Sequence, residues 1–134
     1  MSAQLNHTIV WCRDRTASAQ FLAQMLGRPA PTTFGPFHVV DMDNGVSLDF
    51  HDAAEGPIAS QHYAFLIDEA DFDAVLGRIQ AAGLDHWADP ARRQAGQINR
   101  RDSGRGVYFP DPDDHLLEVI TRPYGAARGS QTAA

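Results

Sequence analysis

The sequence predicts an α+β fold in which two tandem strand–helix–three-strand modules (βαβββ) form a curved mixed sheet with a cleft. Three observations predict it. A strand-forming run that opens on a histidine and leads into an amphipathic helix occurs twice, with His7 standing 20 residues before the helix-stopping Gly27 and His62 standing 21 before Gly83. Each helix is followed by three short strand-forming stretches. The last strand of each half holds an acid between apolar neighbours, Asp49 in "SLDFH" and Glu118 in "LLEVI".

Residues 5–12, "LNHTIVWC", are rich in β-branched and aromatic side chains and read as the first strand. Thr16 offers a cap for the helix that follows. Ala17, Phe21, Leu22, Met25 and Leu26 recur at helical spacing until Gly27 and Pro29 end it. Strands are expected at 31–34, 37–42 and 46–51, the last two joined by the hairpin signal "DNG". The second module repeats the order. "QHYAFLI" from residue 61 reads as a strand, and 68–82 as a helix with Phe72, Val75, Leu76 and Ile79 on one face. Strands follow at 85–88, 105–109 and 115–122, the last pair linked by "PDPDD", whose prolines and aspartates demand a turn. The modules span about 4–52 and 60–124 of a single domain, 1–124, and the small polar residues 125–134 read as a flexible tail.

Composition narrows the function classes. Hydrophobic residues at 43% and charged residues at 21% suit a soluble globular protein, and no apolar run approaches the roughly 20 residues of a membrane span. Residues 1–6 have no secretory pattern, so a cytoplasmic setting is expected. A net charge of -6 argues against a nucleic-acid partner, although Arg92, Arg93, Arg100, Arg101 and Arg105 fall within one segment. The single cysteine, Cys12, reads as a small hydrophobe within a strand.

The polar strand residues carry the chemistry. Side chains alternate faces along a strand, so Val46, Leu48 and Phe50 turn one way while Ser47, Asp49 and His51 turn the other. An unpaired carboxylate in a run such as that around Glu118 costs on the order of several kcal/mol, so it requires a dedicated partner. A lone strand histidine is ordinarily a hydrogen-bonded structural residue, and Arg105 or Arg122 could answer the acids. Repetition at matching positions favours convergence of His7, His62, Glu118 and Asp49 on one divalent ion. Two imidazoles and a carboxylate leave coordination positions open, and the absence of a thiolate suits Fe(II), Mn(II), Ni(II), Co(II) or Zn(II). Such an ion acts as a Lewis acid on a small substrate that chelates it through neighbouring oxygens. Glu118, Asp49 and His51 are the acid–base candidates. Arg105 (beside the long 89–104 connection that reads as a lid), Tyr124 and Trp11 are the substrate-binding candidates.

The tandem modules, the histidines in "LNHTIVWCRD" and "QHYAFLI", and above all "GVYFPDPDDHLLEV" resemble the vicinal oxygen chelate superfamily of glyoxalase I, extradiol dioxygenases, and fosfomycin and bleomycin resistance proteins. The resemblance covers residues 4–124. It implies that His7, His62 and Glu118 ligate the metal and that Asp49 stands where glyoxalase I has a fourth, glutamate ligand. It also implies a homodimer, with ligands drawn from one chain or both. A glyoxalase-like lyase or isomerase is the first expectation, an extradiol dioxygenase the second, and a non-catalytic bleomycin-type binding protein the third. Asp114 replaces the usual turn glycine, which its tolerance of left-handed backbone permits.

Overall fold

A computed structural model describes residues 1–126 of the chain, so 127–134 of the expected tail lie outside the described residues. The chain forms two compact units. The first comprises residues 1–59 with 111–113, and the second 60–110 with the remainder.

In the first unit, strand β1 (His7–Cys12) leads into helix α1 (Arg15–Leu26), followed by β2 (Thr32–Phe34), β3 (Phe37–Asp41) and β4 (Ser47–Asp52). The sheet order is β1-β4-β3-β2, with β1 parallel to β4 and the other neighbours antiparallel. The cap of α1 is Asp14 rather than Thr16. Its carboxylate accepts from the amides of Thr16 and Ala17 at 3.0 and 3.1 Å, satisfying two of the donors a helix start leaves open. Alternation holds as predicted, because Val10, Cys12, Val40, Leu48 and Phe50 are all buried, together with Leu22 and Ala23 of α1, which packs against β1, β3 and β4. Burial and the nearby charges of Asp113 and Asp52 push the Cys12 thiol up to about 11, which bears out its role as a neutral core residue.

The second unit repeats the pattern with β5 (His62–Leu66), α2 (Phe72–Ala81), β6 (Gly106–Pro110) and β7 (Leu116–Ile120), in the sheet order β5-β7-β6. The helix expected over 68–82 is split: a 3-10 turn over Glu69–Asp71 precedes α2. Phe72, Val75 and Ile79 of α2 are buried, as are Phe65, Val107, Phe109, Leu117 and Val119. The strand expected at 85–88 is reduced to isolated bridges at Trp87, which pairs with Tyr108 on one side and Ala95 on the other. Trp87 exchanges both backbone hydrogen bonds with Tyr108, at 2.8 and 2.9 Å. The Asp89 carboxylate then accepts from the amides of Arg93 and Gln94 and turns the chain back at Pro90, ending the ladder.

Both sheets are mixed, as predicted, and the strands are divided into one sheet per unit. Asp114 adopts the left-handed backbone expected of it, with φ 62°.

Candidate metal centre

The second unit builds its site from three adjacent strands. His62 opens β5 opposite Leu116, and two residues on Ala64 lies opposite Glu118, so His62 and Glu118 share a face. The small Ala64 side chain leaves space between them, and His62 Nε2 stands 3.2 Å from Glu118 Oε1. The other ring nitrogen, Nδ1, lies 2.9 Å from the Leu116 carbonyl oxygen, which can only accept. That contact draws the Nδ1 proton to the Leu116 carbonyl and aims Nε2 at the carboxylate. Carrying a second proton, the imidazole forms an ion pair with Glu118; as the neutral tautomer it offers its Nε2 lone pair, beside a carboxylate, to a cation, and a backbone carbonyl behind the ring is the usual support of a metal-ligating histidine.

Tyr108 completes this cluster, and sequence reasoning missed it. It faces Glu118 across β6 and β7. Its backbone bonds are spent on Trp87, so the Tyr108–Glu118 pair is of the non-hydrogen-bonded kind, in which cross-strand side chains come closest. The phenol hydrogen-bonds Glu118 and accepts from Arg101 Nη1 at 2.9 Å, while its ring stacks on His62 with centroids 5.9 Å apart. Burial first, and then Glu118, push the pKa of the Tyr108 hydroxyl above its ordinary value, against the opposing pull of Arg101. The phenol is therefore the donor to the carboxylate. A signal was present in the even spacing of Tyr108, Pro110, Leu116 and Glu118, but it becomes readable only with the register.

His115, between the turn and β7, is a buried structural histidine. Its Nδ1 accepts from the Gln61 amide at 2.9 Å and so fixes the residue that precedes His62.

The first unit holds the other two predicted ligands. His7 is exposed, and its Nδ1 lies 2.7 Å from the side-chain oxygen of Asn6, while its Nε2 has no partner among the described residues. Asp49 is buried and accepts from Ser47 Oγ at 2.7 Å. Ile9, rather than a small residue, lies opposite Asp49. His51 sits between Trp11 and Phe37, at centroid distances of 5.2 and 5.3 Å, with Nδ1 against its neighbour's carbonyl. Trp11 is 48% exposed.

Among the described residues, no three His, Cys, Asp or Glu side chains are gathered closely enough to hold a metal ion. The structure brings His62 and Glu118 together as a pair. Neither Arg105 nor Arg122 answers Glu118. Arg105 is bound instead to Glu69 and Asp73, at 2.7 Å each, so its charge is already matched. Tyr124 is 80% exposed and lines a small pocket that also includes Glu118. The 89–104 connection, expected as a lid, is pinned: Arg92 pairs with Asp114 at 2.9 Å and stacks on Trp87, and Asn99 exchanges backbone bonds with Gly106.

Tandem modules with a histidine opening one strand and a carboxylate across from it define a class. Residues 4–119 match the family model for the Glyoxalase/Bleomycin resistance protein/Dioxygenase superfamily, and the chain belongs to that family. Among solved structures it is similar to the oxidase ChaP-H1, with 59% identity, a TM-score of 0.89, and coverage of 92% of this chain and 99% of that one. The oxidase ChaP-H2 is similar at 56% identity and a TM-score of 0.90, over 94% of this chain and 98% of that one. Among curated proteins, the glutathione transferase FosA of Serratia marcescens is 28% identical over 89% of this chain and 81% of its own length. The fosfomycin resistance protein FosX of Mesorhizobium japonicum is 42% identical over 45% of this chain, but the aligned stretch spans only 38% of that relative's length.

Proposed function

We propose that the chain is a metal-dependent oxidase acting on a small substrate that binds the ion through two neighbouring oxygens. The observation that carries this reading is the His62–Glu118 pair, with Nε2 aimed at the carboxylate at 3.2 Å and Nδ1 committed to Leu116. His62 and Glu118 would supply two ligands, and the family resemblance adds His7 as a third, from this chain or from a dimer partner. A redox-active divalent ion, Fe(II) or Mn(II), would supply a Lewis acid and an electron relay to dioxygen, while Co(II), Ni(II) and Zn(II) would fit the same donors. Tyr108 holds one carboxylate oxygen in place, and the Leu116 carbonyl fixes the plane of the His62 ring. Trp11 and Tyr124 offer aromatic surface to the substrate.

Oxidase chemistry is preferred to a glyoxalase-like isomerisation because two proteins more than half identical over nearly their whole length are named oxidases. Isomerisation would need Asp49 as a second acid. Its short arm and its bond to Ser47 speak against that role. A homodimer is supported by Ile9, Trp11 and Leu66, apolar and exposed on the edge strands β1 and β5 beside His7 and His62.

Protein loaded anaerobically with Fe(II) should hold about one ion per chain and consume oxygen when a catechol is added. Uptake of no divalent metal, together with tight binding of an apolar drug, would instead support a sequestering protein. Proton exchange at the α-carbon of a thiohemiacetal, without oxygen uptake, would favour the isomerase.

A further inference from the structure

Beside Glu118 on the second unit lies a pocket whose walls include Asn99, Arg101, Ile120, Arg122 and Tyr124. Glu118, Ile120 and Arg122 follow one another at alternate positions, so the wall runs directly on from the proposed ligand. The cations around the pocket differ in what holds them. Arg105 is neutralised by Glu69 and Asp73, and Arg101 is turned onto the Tyr108 hydroxyl and the Ala88 carbonyl. Arg122 makes no ion pair or hydrogen bond among the described residues.

Arg122 is nevertheless placed. A Cβ built on Gly104 would lie 2.6 Å from Arg122 Cγ and 2.6 Å from Thr121 Oγ1. The backbone of Gly104, at φ -119°, is open to any residue, so the glycine is there for close approach and not for a turn. Thr121 cannot swing aside freely, because its hydroxyl accepts the Arg105 amide at 2.9 Å. The stem of Arg122 is thus seated against a bare backbone at its base. Asp102 also lines the pocket, its carboxylate accepting the Gly125 amide at 3.0 Å; with Glu118 neutralised by a divalent ion, Arg101 and Arg122 against that single acid would leave the pocket a net positive charge on a chain whose net charge is -6.

We propose that Arg122 is a specificity-determining residue that receives an anionic group of the substrate, a carboxylate on an aromatic ring carrying the two chelating oxygens, with Gly104 as the residue that positions it. This rests on the metal-chelate reading above. A guanidinium binds a carboxylate through two parallel hydrogen bonds, and Tyr124 at the rim suits a planar ring.

The test compares two probes by calorimetric titration of the Mn(II)-loaded protein without oxygen: catechol, and 3,4-dihydroxybenzoate, which adds only the carboxylate. The wild-type protein should bind the acid about tenfold or more tightly than catechol. In Arg122→Gln that ratio should fall to near one, in Arg122→Lys it should be partly kept, and in Gly104→Ala, which retains the charge but displaces the stem, it should fall as well. Melting curves of each variant establish that it is folded, and the three substitutions give independent routes to the answer. Equal affinity for the two probes in the wild type, or an undiminished ratio in folded Arg122→Gln, overturns the proposal. Failure of the wild type to bind either probe sinks the chelate reading itself, and the subsite with it.

Discussion

The two units run the same plan with different results. In each, the histidine that opens the first strand lies opposite the residue two places before the acid of the last strand: His7 opposite Ser47 and then Asp49, His62 opposite Leu116 and then Glu118. The register is identical, so the difference lies in the side chains. In the second unit a small Ala64 flanks a long Glu118, Tyr108 faces it from the antiparallel neighbour, and imidazole and carboxylate meet. In the first unit Ile9 flanks a shorter Asp49, Val39 stands where Tyr108 does, and the acid takes its hydrogen bond from Ser47 on its own strand. One copy has kept a partnered acid facing its histidine. The other satisfies its acid locally and leaves its histidine without a carboxylate partner.

That contrast is most directly broken by exchanging charge for amide at the two acids. Glu118→Gln should lower divalent-metal affinity by about a hundredfold or more, since it removes a direct ligand, whereas Asp49→Asn should cost less than about tenfold. Elemental analysis and competitive chelator titration of both variants read this out. Equal losses would mean that Asp49 is a full ligand and that the two units contribute alike.

Tyr108 sharpens the comparison at a smaller scale. Tyr108→Phe removes the hydroxyl that orients Glu118, and losses for such supporting groups run at about tenfold or more in metal affinity. The corresponding change in the first unit, Val39→Ala, should leave metal affinity where it was and cost only packing. If Tyr108→Phe lowers the melting temperature without touching metal affinity, the tyrosine is a structural member of the sheet.

Much of this was legible from the residues. The paired histidines, the paired acids and the helix-ending glycines set the repeat, and strand alternation sorted core from polar face, because these signals are local. What escaped depended on register or on competition between neighbours. Tyr108 becomes Glu118's partner only once β6 and β7 are aligned. Arg105 could have met a ligand as far as sequence shows, yet Glu69 and Asp73 from the turn of α2 reach it first. In "RDRTAS" both Asp14 and Thr16 are capping residues, and choosing Thr16 starts the helix too late. The 85–88 stretch has strand composition, but the turn at Asp89 and Pro90 leaves it only isolated bridges at Trp87.

The units also differ in how they respond to alkali. Cys12 belongs to the first unit alone, and its thiol, pushed up to about 11 from an ordinary 9.0, holds its proton more tightly in the native state than in the unfolded chain. This contribution to stability is complete below pH 9 and fades as the pH rises toward 11, where unfolding releases the proton. Denaturant melts should therefore show falling stability across that window, and Cys12→Ala, though less stable at pH 7, should show a shallower decline. Tyr108, also raised, adds a loss of the same sign at higher pH. An unchanged slope in Cys12→Ala would place the alkaline sensitivity elsewhere.

The smallest contrast concerns how the helices begin. Asp14 caps α1 with two side-chain hydrogen bonds, while α2 begins at Phe72 after a 3-10 turn, and neither Asp68 nor Asp71 makes a side-chain cap bond. The 3-10 turn does part of the capping itself, because the Asp71 and Phe72 amides bond back to Asp68 and Glu69 carbonyls. Asp14→Ala should then cost about 1 kcal/mol in a denaturant melt, whereas Asp71→Ala, losing only a favourable charge near the helix start, should cost about 0.5 kcal/mol or less. Comparable losses at both would mean that the acids act through their charge on the helix dipole alone. In that case adding salt should reduce the two losses together, while a cost carried by Asp14's hydrogen bonds should largely survive it.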